Sequence, residues 1–323
     1  MRVLVTGGMG FIGSNLVKRL HKEGHIVDIV DNMMNGHEEF LKDYEIRNSF
    51  PGLRYGNESR EYIRFFEGDF AEDILRTVAS GIYDVIFHLA AVPRVSFSVE
   101  YPAETTDANL NKTVKLFDAA RLSKTRVVFS SSSSVYGGAD VLPTQESYPK
   151  SPKSPYAWQK SACEDIAKLF CQLYDESDIV CLRYFNVFGP NQYGDSPYST
   201  AVSAWCNAVK NGLTCRSDGD GTQSRDLCYV DNVVEANLLA AFKERRFTGD
   251  CYNIACSDST TNADILTYFI DNFGAKVKHA PWRPGDVMHS KANITKAKKE
   301  LGYEPKVKFW EGLERTVKWW GLK

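Results

Sequence analysis

Arg2-Val3-Leu4-Val5-Thr6-Gly7-Gly8-Met9-Gly10-Phe11-Ile12-Gly13 is the stretch whose reading decides the fold. Residues 2–6 are short and apolar enough for a buried strand, and glycines at 7, 10 and 13 follow at once. An amphipathic helix from Phe11 to Glu23 comes next, and a second strand, Ile26–Val30, ends in Asp31. Each glycine has a physical task in this order of elements. Gly7 lets the chain turn, Gly10 lets backbone N–H groups at the helix N-terminus reach a pyrophosphate, and Gly13 lets helix pack on strand. Asp31 can accept from both hydroxyls of an adenosine ribose and would repel a 2′-phosphate. No Arg or Lys adjoins it, so the site reads as one for NAD in preference to NADP.

Working outward, Asn32 to Glu61 is polar and turn-rich, with Asn35-Gly36, Pro51-Gly52 and Gly56-Asn57, and reads as a surface insertion with one short helix. Strands then alternate with helices. Tyr62–Glu67 runs into Gly68-Asp69-Phe70, a helix covers Ala71–Ser80, and Asp84–His88 ends in Leu89-Ala90-Ala91. A long helix spans Ala103–Leu122, and a strand ends at Phe129. This spacing demands parallel pairing, so the expected class is α/β, a doubly wound parallel, Rossmann-type sheet with its ligand at the strands' carboxyl ends. Past Ile179–Phe185 the alternation loosens. Helices are expected at Asn232–Lys243, Thr261–Asn272 and Thr295–Leu301, a strand at Cys251–Ala255, and a terminal apolar stripe of Trp310, Leu313, Val317 and Trp320. The expected organisation is a dinucleotide domain over residues 1–185 and a smaller, partly interleaved C-terminal substrate lobe over 186–323, with a soft boundary.

The chemistry concentrates between Ser130 and Lys160. A hydroxyl run, Ser130-Ser131-Ser132-Ser133-Ser134, follows the apolar Arg126–Phe129, and Tyr156-Ala157-Trp158-Gln159-Lys160 closes the stretch. Ser154 suits an N-cap and Pro155 the first helical position, which puts Tyr156 and Lys160 on one helix face. Holding a tyrosine as phenolate near neutral pH costs about 4 kcal/mol, and a neighbouring lysine cation together with an oxidised nicotinamide is a field of the kind that supplies it. The pair then reads as a general base.

Composition narrows the classes. The formal charge is −2, with Lys and Arg scattered, which points away from nucleic acid and from an anionic membrane. Eight cysteines without a Cys-x-x-Cys pair read as free thiols in a reducing, cytoplasmic setting. The start of the chain has no basic or long apolar segment, and the six histidines have no ligand spacing, so neither a membrane segment nor a metal is expected.

With these motifs in order, and with Arg183-Tyr184-Phe185-Asn186-Val187-Phe188-Gly189-Pro190 after them, the chain resembles the extended short-chain dehydrogenase/reductase family over nearly its whole length. Within that family it is similar to nucleotide-sugar 4-epimerases, and most to the UDP-N-acetylglucosamine 4-epimerase group. That group carries a Ser-Arg-Asp-Phe-Cys loop, here Ser224-Arg225-Asp226-Leu227-Cys228, and an Arg-x-Gly-Asp-Val-x-His-Ser segment, here Arg283–Ser290. One departure is Lys112-Thr113 after Asn111, where relatives often carry Gly-Thr.

The resemblance implies that Tyr156 takes the sugar O4 proton while the C4 hydride passes to NAD, that Lys160 lowers the pKa of the phenol and holds the nicotinamide ribose, and that Ser132 bonds O4. The 4-keto sugar then swings about its diphosphate and takes hydride back on its other face. It further implies cofactor contacts from Gly7, Gly10, Phe11, Ile12, Gly13, Asp31, Asn32 and Leu89, Ala90 and Ala91, with Asp69 and Phe70 flanking the adenine. Substrate contacts would come from Ser132, Ser133, Ser134, Tyr156, Asn186 and Asp286, diphosphate clamps from Arg225 and Arg283, and a wall beside the C2 substituent from Ser290. Arg94 lies on the loop after the fourth strand, where reaching substrate and standing in solvent are both open readings. A homodimer is the implied assembly. Sugar dehydratases of the same fold carry Asp-Glu where this chain has Ser133-Ser134, and decarboxylases carry Glu at Ser134; a serine hydroxyl has no usable pKa for either role. A UDP-glucuronate 4-epimerase, a net nucleotide-sugar dehydrogenase and a non-catalytic NAD sensor are the alternatives. The last needs neither Tyr156 nor Lys160.

Overall fold

The computed structural model describes residues 1–49, 60–194, 200–282 and 287–323. Strand β1 (Arg2–Thr6) is buried throughout and leads through the glycine turn to helix α1 (Phe11–Lys22), which lays Leu16, Val17 and Leu20 on the sheet. Strand β2 (Ile26–Asp31) returns parallel to β1, with Arg2 opposite Ile26 and Thr6 opposite Val30. Its apolar run is interrupted by Asp28, which is tolerated inside because Arg2, Arg64 and Tyr83 all donate to it.

The chain continues through β3 (Ile46–Asn48), β4 (Ile63–Glu67), α2 (Phe70–Asp73), α3 (Leu75–Ala79), β5 (Val85–His88), α4 (Val95–Glu100), α5 (Pro102–Thr106), α6 (Lys112–Ser123), β6 (Arg126–Ser132), α7 (Pro155–Leu173) and β7 (Ile179–Tyr184). The central sheet has the order Thr248–Ile254, β7, β6, β5, β1, β2, β4, β3. The pairs from β3 across to β6 are parallel. After β1 the chain builds outward on one side, then crosses back to place β5 on the other. The carboxyl ends of β1 and β5 therefore flank the point where the topology reverses, the usual ligand crevice of such sheets. Beneath it, Leu4, Ile86, Leu116, Phe117, Phe129 and Cys163 form the dry centre.

Three local expectations change. The polar insertion contributes an edge strand, β3, whose Ile46 pairs with Ile63; three residues are too few for alternation to be visible in the sequence. Its residues 50–59 lie outside the described part. The expected helix Ala71–Ser80 is two short helices, because Ile74 takes φ −117° and ψ 0° between them. The long helix Ala103–Leu122 is likewise interrupted by a wide π turn, Asp107–Asn111. Asn109 in that turn is buried and spends its side chain on Val92 N, Val92 O and Gln159 Oε1 (2.7, 3.1 and 2.8 Å). Such turns insert an extra residue into a helix and cluster at functional sites.

Two compact units partition the chain. The first gathers Met1–Ser132, Ser154–Arg183 and Val234–Cys251, and the second Ser133–Lys153, Tyr184–Val233 and Tyr252–Lys323. In the second, short strand pairs join Val187–Phe188 to Cys228–Tyr229, Cys215–Asp218 to Val277–Ala280 and Ser224–Arg225 to Thr260–Thr261. Its helices Asn262–Phe273 and Phe309–Trp319 bury Ile265, Phe269, Leu313 and Val317. Trp320 joins that core, whereas Trp310 stands 46% exposed and falls outside the expected stripe. Among the described residues, no helix is long and apolar enough to cross a membrane, and no group of acids, histidines and cysteines could hold a metal ion.

Candidate active site

The glycine turn divides into positions that the protein itself demands and one that it does not. Gly7 has φ +73°, and a Cβ there would stand 2.7 Å from Ala90 N; at Gly13 it would stand 2.1 Å from Gly7 O. Gly10 is extended (φ −80°, ψ −179°), and its Cβ would meet only Gly7 O, at 3.4 Å. No packing forbids a side chain at Gly10. It caps α1 without a side-chain bond, on a helix end that carries orphan N–H groups and a partial positive charge. A group that needs close backbone approach and bears negative charge fits that opening, as a dinucleotide pyrophosphate does.

Asp31 braces the same turn, its two oxygens accepting from Met9 N (3.0 Å) and Met33 N (2.9 Å). Burial raises its pKa, and those two N–H groups partly offset the rise. Each carboxylate oxygen retains a lone pair for a ribose hydroxyl. Asn32 is exposed, and its Oδ1 accepts from Met34 N. Gly68 N donates to Asp31 O, which sets the end of β4 beside the acid. There Asp69 caps α2 and pairs with Lys112 at 2.5 Å. Phe70 turns its ring inward onto His88 (centroids 4.8 Å apart), so of these two residues only Asp69 presents a side chain outward. Phe11, Ile12 and Leu89 to Ala91 are half-buried along the same ends.

Sequence reasoning passed over His88, which ties this region together. Thr113 Oγ1 gives its one proton to Asn109 O, so it must accept from His88 Nε2 (2.9 Å). Nδ1 then accepts from Thr6 Oγ1 (2.7 Å). Burial holds this imidazole neutral, at a pKa of about 3, which is the state the bonds require.

The candidate catalytic residues come from β6 and α7. Ser154 caps α7 by accepting from Ala157 N (3.2 Å), and Pro155 opens it. Ser98 on α4 accepts from Tyr156 N at 3.0 Å, a second cap that no local pattern announces. Tyr156 is hydrogen-bonded to Ser132, and burial pushes its phenol up to about 12, the serine bond opposing the rise. Lys160 Nζ donates to Ser130 O (2.7 Å) and lies 5.9 Å from the centroid of the Tyr156 ring. Burial draws the pKa of the ammonium down to about 8. The protein's own groups therefore leave the phenol protonated, and the lysine is not among the causes that shift it. The chain assembles a hydroxyl, a phenol and an ammonium on adjoining surfaces of one strand and one helix. This set can pass a proton to or from a sugar hydroxyl.

In the second unit, Ser290 Oγ accepts from Asn186 Nδ2 (3.3 Å) and Asp226 N (3.2 Å), and Arg225 Nη1 donates to Met288 O (3.1 Å). Asp226 is fully buried and binds Cys256 N and Ala292 N, both at 2.9 Å, so it locks the Arg225 loop to the Ser290 segment; burial raises its pKa to about 7. Ser133 and Ser134 are half-buried in a short 3₁₀ turn. In the first unit, Arg94 precedes α4 and is exposed. Arg283 and Asp286 lie outside the described residues.

Residues 3–255 match the NAD dependent epimerase/dehydratase family. The chain belongs to this family. It is 35% identical over 330 residues to a UDP-glucose 4-epimerase of Mycolicibacterium smegmatis, covering 100% of this chain and 99% of that one. A UDP-N-acetyl-alpha-D-glucosaminuronate decarboxylase of Bacillus cytotoxicus is 28% identical, with 98% and 97% covered. Among solved structures, a UDP-N-acetylglucosamine 4-epimerase from Methanobrevibacter ruminantium, in complex with UDP-N-acetylmuramic acid, superposes with a TM-score of 0.88. It shares 36% identity and is matched over 98% of this chain and 97% of its own. As in the family, the cofactor is NAD, and Gly10, the α1 N-terminus and Asp31 are the groups that suit it.

Proposed function

We propose that this protein interconverts C4 epimers of a UDP-sugar, with UDP-N-acetylglucosamine and UDP-N-acetylgalactosamine as the principal pair and UDP-glucose and UDP-galactose as a second. The observation that carries this reading is the Ser132–Tyr156 hydrogen bond beside the buried Lys160, in a segment where Ser133 and Ser134 offer hydroxyls and no carboxylate. Dehydration and decarboxylation each need an acid there; oxidation and re-reduction at one carbon do not. Bound NAD supplies a hydride acceptor and donor and a positively charged ring. Tyr156 takes the O4 proton and returns it, Ser132 holds O4, and Lys160 keeps its charge beside them. Arg225 and Arg283 bind the diphosphate, and Asn186 and Ser290 face the sugar. The relatives' names support the substrate class, and the small side chain of Ser290 supports the N-acetylated pair. A homodimer belongs to the same reading, and size-exclusion chromatography tests it.

The deciding experiment incubates purified protein with UDP-N-acetylglucosamine and follows sugar and cofactor together. Formation of UDP-N-acetylgalactosamine without accumulating NADH is the expected result. Accumulating NADH would make the protein a net dehydrogenase, and no turnover of any UDP-sugar would leave a binding protein.

A further inference from the structure

Three consecutive residues of β6 each engage a successive turn of α7. Ser132 bonds Tyr156, Ser130 O accepts from Lys160, and Ser131 Oγ donates to Glu164 Oε1 at 2.6 Å. The third contact has no part in the chemistry described above, yet it is the most heavily built. Glu164 and Arg183 are 3% and 4% exposed, and Arg183 forks onto both carboxylate oxygens, Nε to Oε1 at 2.8 Å and Nη2 to Oε2 at 2.7 Å.

We propose that the buried Glu164–Arg183 pair is the positioning device of the catalytic trio, holding Ser131, and through it Ser130 and Ser132, in register with Tyr156 and Lys160. Stability does not explain the pair, because apolar residues of similar volume commonly replace a buried ion pair at no loss or with a gain. A bidentate fork does supply a carboxylate whose position is fixed by two parallel bonds. That carboxylate then does two things. It holds the peptide that joins the residue accepting from Lys160 to the residue bonded to Tyr156. It also places a negative charge one helical turn from the ammonium.

The second effect gives a readout that mere support of the fold would not. Lys160 is faced by Tyr156, Cys163 and Glu164 from α7, by Cys181 from β7, and by the neutral His88 from β5, while Arg183 of β7 is bonded to the Glu164 carboxylate. Of these, Cys163, Cys181 and Glu164 raise its pKa against the larger effect of burial. The cysteine thiols are themselves pushed up by their surroundings, so Glu164 is the fixed negative charge.

This inference rests on the assignment of Tyr156 and Lys160 to catalysis, and the test separates the two. Glu164→Gln, Ser131→Ala and the double variant Glu164→Met with Arg183→Met are compared with the parent in the NAD-loaded enzyme; the methionine pair strands no charge and keeps the fold testable. Glu164→Gln is expected to lower kcat at least about tenfold with KM within about twofold, the pattern of misplaced reacting groups. Its alkaline limb moves to lower pH, since Lys160 now loses its proton sooner. The methionine pair lowers kcat in the same way, and Ser131→Ala lowers it without moving the alkaline limb. A folded Glu164→Gln or methionine-pair enzyme with parental kcat and an unmoved limb would overturn the proposal. Should Tyr156→Phe retain turnover, the catalytic assignment itself falls, whatever the Glu164 variants do.

Discussion

The Lys160 ammonium donates to the carbonyl oxygen of Ser130 at 2.7 Å, a bond between a helix side chain and a strand backbone thirty positions apart in the chain. It commits the lysine to one place at the end of β6. Because its pKa is about 8, the group is still mostly charged at neutral pH, so the site keeps a cation beside a phenol that burial alone would leave protonated.

Replacing Tyr156 by Phe removes the phenol oxygen and its bond to Ser132 while keeping the ring's packing. Turnover should fall by roughly 10²–10⁴-fold, the range for a lost acid–base group, with fold and NAD content retained. Steady-state kinetics beside circular dichroism and cofactor extraction make the check; near-parental turnover removes Tyr156 from the mechanism.

His88 predicts an acid limit to stability. Its folded pKa, about 3, lies below the ordinary 6.5, so between those values the unfolded chain binds the extra proton and stability is lost as pH falls. From pH 6.5 to pH 5 this one group should cost about 1.6 kcal/mol, the slope steepening toward about 1.4 per unit as the unfolded histidine becomes fully protonated. Denaturant titrations at several pH values should show that slope flattened in His88→Asn. An equal slope in both proteins would show that the histidine titrates normally.

Asp31 braces the glycine turn, and its proposed second task is to hold the cofactor's ribose. Asp31→Ala should weaken NAD binding and relax discrimination against NADP, and it should also lower the melting temperature, since Met9 N and Met33 N lose their acceptor. Equal affinity of the parent for both cofactors would contradict the role given to the acid.

Arg225 uses Nη1 on the carbonyls of Ser224 and Met288. A guanidinium presents five donors in a planar fork that matches phosphate geometry. Arg225→Ala should raise KM for the nucleotide sugar about 10- to 150-fold, the equivalent of roughly 1.5–3 kcal/mol for a charge-assisted bond, and weaken competition by free UDP. Unchanged UDP binding would move the clamp elsewhere.

In the proposed function, Ser290 sets the choice of substrate. Ser290→Tyr should abolish turnover of the N-acetylated pair and spare the plain hexoses, because the ring takes the space the C2 group needs in both orientations of the 4-keto sugar. It also breaks the bonds from Asn186 and Asp226 N, so Ser290→Ala is the control. A general loss in both variants would mean that Ser290 acts by holding the loop.

What could be read from sequence alone rests on interactions a few residues apart. The strand, glycine turn and helix of residues 2–22, Asp31 at the end of β2, and the Ser154–Pro155 start that sets Tyr156 and Lys160 on one face are local signals, since a cap, a turn and a periodicity are each written within one or two turns of chain. Tertiary structure decided whatever needed distant partners. It turned Phe70 inward onto His88, recruited Ser98 to cap a helix 58 positions later, broke the long helix where Asn109 serves Val92 and Gln159, and brought Arg183 back onto Glu164 behind the serine run. Each of these satisfies a buried polar or aromatic group with whatever packing brings near, and no spacing along the chain encodes what that will be.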